Sequence, residues 1–188
     1  MSESLEGATI LVVDDEDDLV DLYELQLESE YNIRTAYGGE EALEKIDSEV
    51  DLVLLDRRMP DLSGDEVLKR IRVEEYDCLV VMLTAVEPDF DLVDMGCDEY
   101  VIKPVSEPEL RSTVEEMLTR AKYYDEELRE RLMLASKRAV LKSEKSPSER
   151  EQSEEYAELE RRLEEVHQRV DAALSHADDD SPSAFDNR

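Results

Sequence analysis

The chain has no tryptophan, two phenylalanines and two cysteines. Val, Leu and Ile must therefore fill any hydrophobic core, and the apolar content of 40% is enough for one. Cys78 and Cys97 cannot form a disulfide framework, so we interpret them as buried fillers in a reducing compartment. No apolar run is long enough to cross a bilayer, and the acidic first residues lack the pattern of a signal peptide. These absences predict a soluble, cytoplasmic protein with no membrane partner.

Basic residues are also scarce, since 22 Lys and Arg stand against 52 Asp and Glu and give a net charge of −30. Such an excess of one sign destabilises a compact fold at low ionic strength. Molar salt shortens the Debye length to about 3 Å and removes most of this repulsion. Because the acids are scattered rather than gathered in one block, they favour a halophile over the alternative of a cationic partner.

Short β-branched runs alternate with helical periodicity through the first 120 residues. The runs predict strands at 9–13, 33–36, 51–55, 78–83 and 99–102. Helices are predicted at 16–29, from Gly38-Gly39, from Ser63-Gly64 and, over a short stretch only, near Asp89–Asp94. This alternation predicts an α/β domain over residues 1–120, with a five-stranded parallel sheet and helices on both faces.

Polar residues stand at the carboxyl ends of four of these strands. They are Asp14 and Asp15 after the first strand, Asp56 after the third, Thr84 after the fourth and Lys103 after the fifth. Because these ends share one edge of a parallel sheet, the side chains are expected to converge there. Three carboxylates without His or Cys nearby favour a hard cation, and Mg²⁺ is suitable. The group predicts phosphoryl transfer to Asp56, with Thr84 and Lys103 contacting the product.

The segment after Lys103-Pro104 carries apolar residues at alternating steps of four and three, a heptad pattern. They are Leu110, Val114, Met117, Ala121, Tyr124 and Leu128. A capping box at Ser106 opens this helix, and no helix breaker precedes Ser146-Pro147, so one continuous helix is predicted over 107–144. A second capping box at Ser146 opens another heptad helix. The pair predicts a coiled-coil-like α-helical hairpin as a second domain at 121–176, followed by a disordered acidic tail at 177–188.

These motifs resemble the receiver domain of two-component response regulators. The residues that carry the resemblance are Asp14-Asp15, Asp56 with Met59-Pro60, Thr84-Ala85 and Lys103-Pro104. The resemblance implies a flavodoxin-like fold and phosphorylation of Asp56 by a sensor histidine kinase. It also implies Mg²⁺ bound by Asp15, Asp56 and the backbone carbonyl of Arg58, with Asp14 acting through metal waters. A cis peptide bond between Lys103 and Pro104 is a further implication.

The same resemblance implies a switch rather than a turnover enzyme. On phosphorylation Thr84 would move toward the phosphoryl group and Tyr100 would turn inward, while the receiver promotes its own phosphorylation and dephosphorylation. A hydrolase that uses Asp56 as nucleophile is disfavoured, because the second Asp that such phosphatases need is replaced by Arg58. The short stretch between Thr84 and Lys103 departs from the family, so we expect the signal to leave through the helix that follows Lys103.

The C-terminal part resembles the HalX domain, which follows receivers in halophilic archaea. The carrying residues are Tyr123-Tyr124-Asp125 through Arg138, and Glu155-Tyr156 with Leu159. We expect output by protein–protein contact through this helical domain, with a homodimer as a further possibility. The alternative is a transcriptional regulator that binds DNA as a dimer through the same helices. The basic run 131–145 is the one sequence feature that favours this alternative. His167 is interpreted as a polar residue flanking the heptad seam, with a phosphorelay role as the sharper alternative.

Overall fold

The computed structural model describes residue 5 and residues 7–179, and only the backbone of residues 171–179. Its first part is a parallel sheet with the strand order β2-β1-β3-β4-β5. The strands are β1 (Thr9–Val13), β2 (Asn32–Ala36), β3 (Leu52–Leu55), β4 (Leu79–Thr84) and β5 (Glu99–Ile102). This confirms the predicted flavodoxin-like sheet, in which the polar residues after β1, β3, β4 and β5 reach the same edge.

Helices cover both faces of the sheet. They are α1 (Asp17–Leu27), α2 (Gly39–Lys45), α3 (Gly64–Val73), a single 3₁₀ turn (Phe90–Val93, here called the 3₁₀ segment) and α4 (Glu107–Tyr123). α1 and α4 pack on one face, whereas α2, α3 and the 3₁₀ segment pack on the other. The 3₁₀ segment is shorter than a full helix, so it covers little of the sheet beside β5.

Alternate residues of each strand enter two separate hydrophobic clusters. On β1, Ile10 and Val12 face α1 and α4, while Leu11 and Val13 face the opposite layer. All four are at most 1% exposed. Burial on both faces is the reason why the strands appear in the sequence as continuous apolar runs.

The predicted continuous helix over 107–144 is wrong. α4 ends at Tyr123, Tyr124 has an extended backbone with φ −106° and ψ 140°, and α5 (Glu126–Glu144) follows. Asp125 is the N-cap of α5, since its carboxylate accepts a hydrogen bond from the Leu128 amide at 2.8 Å. The heptad spacing of Tyr124 and Leu128 continues across the break and conceals it, because the only local signal is one capping aspartate.

Two further helices, α6 (Pro147–Gln152) and α7 (Glu154–Asp179), complete the described chain. The capping box at Ser146 is present as predicted. α5 packs against α7, and ion pairs join Arg138 to Glu160 and Arg169 to Glu130. Because residue numbers rise along α5 as those of their partners fall along α7, the predicted helical hairpin is antiparallel.

The hairpin folds back onto the sheet instead of extending away from it. The residues that α5 and α7 contribute to the cluster containing Leu11 and Val53 are Leu134, Leu141, Tyr156, Leu159, Leu163 and Val166. α5 contacts β5, and both helices contact the 3₁₀ segment. The hairpin therefore covers the part of the sheet face that the 3₁₀ segment leaves open.

The predicted tail falls mostly beyond the described part of the chain. α7 continues to Asp179, so the first three of its positions are helical. Positions 180–188 lie outside the described residues. Within the part that is described, no helix is long and apolar enough to span a membrane.

Candidate functional site

Asp56 follows directly on β3 and is 7% exposed at the carboxyl edge of the sheet. Its Oδ1 accepts a hydrogen bond from Lys103 Nζ at 2.9 Å, and its Oδ2 accepts one from the backbone N–H of Arg58 at 2.7 Å. Hydrogen bonds from charged or oriented donors to a carboxylate are short and strong. They fix the orientation of the Asp56 side chain.

Lys103 also contacts the buried carboxylate of Asp14, with Nζ 2.5 Å from Oδ2. The other oxygen of Asp14 accepts from the Glu16 amide at 3.0 Å. Burial acts to lower the pKa of Lys103, but its hydrogen bonds to Asp14 and Asp56 outweigh burial and leave that pKa above its ordinary value. The ammonium is thus a fixed positive charge between two carboxylates. The Lys103–Pro104 peptide bond is cis, as the resemblance to receiver domains implies.

Asp15, in contrast to Asp14, is exposed and makes no hydrogen bond or ion pair within the described residues. Three carboxylates and one ammonium give this edge a formal charge of −2. No group of three or more His, Cys, Asp or Glu side chains in the described chain is arranged to hold a metal by itself. Mg²⁺ does not need one, since it keeps several waters and takes one or two carboxylates. The donors therefore fit Mg²⁺, with Asp15 available for it.

Thr84 and Tyr100 both contact the backbone of Val86, in the loop after β4. Thr84 Oγ1 accepts a hydrogen bond from the Val86 amide at 3.2 Å. The hydroxyl of Tyr100 donates to the Val86 carbonyl at 2.8 Å. Tyr100 already lies inward on β5 and is 3% exposed. A movement of Thr84 would therefore shift the Val86 backbone, and with it the hydrogen bond of the Tyr100 hydroxyl.

Gly64 is a site residue that sequence reasoning missed. It begins α3 against the loop that follows Asp56, and its amide donates to the Arg57 carbonyl at 2.9 Å. A Cβ at this position would collide with the Asp56 carbonyl oxygen and would lie 2.9 Å from the Arg57 Cα. In the sequence Gly64 marks a helix start. The close approach depends on how the loop between Asp56 and Gly64 folds back.

Arg57 is the second residue that was missed. Its side chain is 13% exposed, and its Nε lies 3.1 Å from Asp65 of α3. The guanidinium also pairs with Asp91 of the 3₁₀ segment. Burial acts to lower the pKa of Arg57, but these partners raise it overall. Nothing in the Arg57-Arg58 doublet shows that the first guanidinium turns inward.

Comparison with known families identifies the two parts of the chain. A family model of the response regulator receiver domain matches residues 10–115, more than half of the sequence. The chain belongs to the response regulator receiver family. A model of the HalX domain matches residues 119–185 of this response regulator, so both resemblances seen in the sequence are confirmed.

Curated relatives of the response regulator include two that are named as transcriptional regulators. A putative transcriptional regulator of Haloferax volcanii is 48% identical over 166 residues, which are 88% of this chain and 28% of that protein. The alkaline phosphatase synthesis transcriptional regulatory protein PhoP of Bacillus subtilis is 43% identical over 117 residues, which are 60% of this chain and 49% of PhoP. The chain thus spans half or less of the length of these relatives.

Solved receiver structures share the fold of the first part. A CheY-like receiver domain protein of Methanospirillum hungatei superposes with a TM-score of 0.60 and 29% identity, over 64% of this chain and all of that one. The response regulator TrrA of Thermotoga maritima, solved in complex with Mg²⁺ and BeF, has a TM-score of 0.53 and 41% identity over 58% of this chain and 97% of TrrA. The fold of the response regulator is therefore that of a signalling switch.

Most cations of the basic run 131–145 in the HalX domain make contacts inside the protein. Lys137 is 3% exposed and reaches backbone carbonyls of the receiver. Lys145 pairs with Asp89 at 3.0 Å, and Arg138 and Lys142 both approach Glu160. These four cations contact the receiver or α7, whereas Arg131, the remaining arginine of the run, is half-buried and makes no ion pair within the described residues. His167 is half-buried beside Val166 on α7, and its relay role stays a hypothesis.

Proposed function

We propose that this protein is a two-component response regulator that accepts a phosphoryl group on Asp56 from the phosphohistidine of a sensor histidine kinase. The observation that carries the proposal is the Asp56 carboxylate, held by Lys103 at 2.9 Å and by the Arg58 amide at 2.7 Å at the carboxyl edge of the sheet. A carboxylate oriented in this way is prepared for in-line attack on phosphorus.

In the transfer, a carboxylate oxygen of Asp56 forms a bond to phosphorus. The P–N bond of the phosphohistidine breaks, and the imidazole nitrogen leaves with the bonding electrons. Lys103, which already contacts Asp14 and Asp56, supplies a positive charge to a phosphoryl oxygen. The hydroxyl of Thr84 rotates from the Val86 amide to donate a hydrogen bond to the product.

The divalent cation of this site is proposed to be Mg²⁺, held by Asp15, Asp56 and the backbone carbonyl of Arg58, with Asp14 acting through water. Mg²⁺ supplies positive charge that offsets the carboxylates and the phosphoryl oxygens. The exposure of Asp15 and the formal charge of −2 at this edge support this assignment. Asp56, Thr84 and Lys103 are the residues proposed to promote phosphorylation and the later dephosphorylation.

The output is proposed to leave through the helical hairpin by contact with a protein partner in the cytoplasm, with a receiver over 1–120 and an output part over 121–176. A homodimer through the C-terminal helices belongs to the same proposal. The direct packing of α5 and α7 on the receiver supports it. Because α5 contacts β5, a structural change around β5 would alter the packing of the hairpin.

Phosphoryl transfer is tested with acetyl phosphate and Mg²⁺ in molar KCl, followed by intact-mass measurement. Wild-type protein is expected to gain one phosphoryl group, and Asp56→Asn none. Asp61→Asn, which changes an exposed acid of the same loop, is the matched control and should be phosphorylated like the wild type. Incorporation into Asp56→Asn would refute Asp56 as the acceptor, and omission of Mg²⁺ without effect would refute the metal.

DNA binding by the HalX domain is the second candidate, because relatives in Haloferax volcanii and Bacillus subtilis carry the names of transcriptional regulators. The internal ion pairs of the basic run speak against it, and phosphate contacts weaken steeply with salt. A gel shift with genomic DNA fragments at molar KCl separates the two candidates. A specific shift that is lost in Arg131→Gln would favour DNA over a protein partner.

A further inference from the structure

The 3₁₀ segment stands between the phosphoacceptor edge and the hairpin. On one side it meets the loop after β3, where Asp91 pairs with Arg57, the residue that follows Asp56. On the other side it packs against α5 and α7. A displacement of the 3₁₀ segment would therefore change its contacts with both the loop after β3 and the hairpin.

The hairpin holds the first end of the 3₁₀ segment through an aromatic pair and an ion pair. The rings of Phe90 and Tyr156 meet edge to face with centroids 6.4 Å apart. Lys145 pairs with Asp89 at 3.0 Å and also lies over the Phe90 ring, 5.6 Å from its centroid. Each of these contacts joins the hairpin to the N-terminal end of the turn.

Lys137 of α5 holds the other end. Its ammonium donates to the carbonyls of Met95 at 2.5 Å and Val93 at 3.4 Å. Arg162 of α7 adds a longer contact to Asp94 at 3.7 Å. A buried ammonium is costly unless its donors find acceptors. The docked position of the hairpin therefore depends on the 3₁₀ segment presenting these carbonyls where they now are.

Arg57 links the 3₁₀ segment, which the hairpin contacts at both ends, to the neighbouring Asp56. Its guanidinium is shared between Asp65 of α3 and Asp91 of the 3₁₀ segment. Phosphorylation would replace the single negative charge of the Asp56 carboxylate with an acyl phosphate that carries about −1.5 to −2 units of charge and three strong acceptors. Arg is well suited to phosphate oxygens, so the new group would compete with Asp91 for it.

We propose that Arg57 couples phosphorylation of Asp56 to docking of the hairpin. Phosphorylation draws Arg57 away from Asp91, the 3₁₀ segment loosens, and the packing of the hairpin on the receiver weakens, which makes its helices more accessible to a partner. This inference rests on the proposed function and gives that function its regulation. Because coupling between two sites is reciprocal, a docked hairpin should in turn disfavour phosphorylation.

The test is hydrogen exchange of the full chain in molar KCl, before and after treatment with acetyl phosphate and Mg²⁺, with phosphoryl incorporation measured on the same samples. In the wild type, phosphorylation should speed exchange of α5 and α7 amides roughly tenfold, a common size of coupling between sites. Arg57→Met should speed it to a similar extent without phosphorylation and show no further response.

Two more variants keep the test interpretable. Asp91→Asn removes the same ion pair from the other side and should behave like Arg57→Met, in case the latter fails to fold. Arg70→Met removes an exposed arginine of α3 and should behave like the wild type. Incorporation of phosphate with unchanged hairpin exchange would overturn the coupling alone. Absence of incorporation would overturn the proposed function, and a hairpin equally protected in Arg57→Met and Asp91→Asn would overturn the role of the pair.

Discussion

Truncation of Leu159 tests whether the hairpin belongs to the core of the receiver. Leu159 lies on α7, is 0% exposed, and shares a hydrophobic cluster with strand residues such as Val80 and Met82. Leu159→Ala removes buried methyl groups and leaves a cavity, which costs about 3 kcal/mol at a fully buried site. For a chain of this size, that loss corresponds to a melting temperature lower by roughly 6–12 °C.

Circular dichroism during thermal unfolding in molar KCl measures this loss, and hydrogen exchange of β4 and β5 shows where it is felt. The matched control is Leu25→Ala, since Leu25 lies on α1 and is 67% exposed. We expect that control to change the stability by no more than about 0.5 kcal/mol.

The location of the effect decides the interpretation. If the hairpin and the receiver form one core, Leu159→Ala should weaken the protection of β4 and β5 together with that of α7. A variant whose α7 loses protection while β4 and β5 keep theirs would refute the shared core. The hairpin would then be an independent unit resting on the receiver surface.

Three further changes test local features of the fold. Gly64→Ala should cost about 1–3 kcal/mol in a denaturant titration because its Cβ collides with the backbone around Asp56, whereas Gly38→Ala, with open space around it, should be tolerated. Ser153→Ala removes the cap that accepts from the Tyr156 amide at 3.0 Å and should cost about 1 kcal/mol in the same titration. Burial raises the pKa of both Cys78 and Cys97 to about 11, so neither thiol should react with a disulfide reagent at about pH 8 until the protein unfolds.

The sheet and its polar edge could be predicted because local pattern determines both. Strands buried on two faces need continuous apolar runs, and parallel connections bring their carboxyl ends to one edge. Asp14, Asp56 and Lys103 therefore converge as expected, with Lys103 Nζ 2.5 Å and 2.9 Å from the two carboxylates. The roles assigned to Asp15, Arg58, Thr84 and Tyr100 stay predictions.

The position of the hairpin could not be predicted, because it depends on contacts between distant residues. Heptad spacing records that a helix has an apolar face and is silent about what covers that face. It also runs on through Tyr124, where one capping side chain, Asp125, decides that the chain turns. The burial of Lys137 is a further case, since a lysine on a charged helix is normally solvated.

The shared core has a consequence for the order in which the protein can be made. Residues 1–123 leave the ribosome first, yet Leu92 and Val93 of the 3₁₀ segment share their cluster with residues from 134 to 166. Until those residues are synthesised, the part of this sheet face beside β5 is without its cover, and exposed apolar surface of this kind is prone to aggregation. The hydrophobic core of the receiver is therefore complete only after the hairpin, which follows it in the chain, has been synthesised.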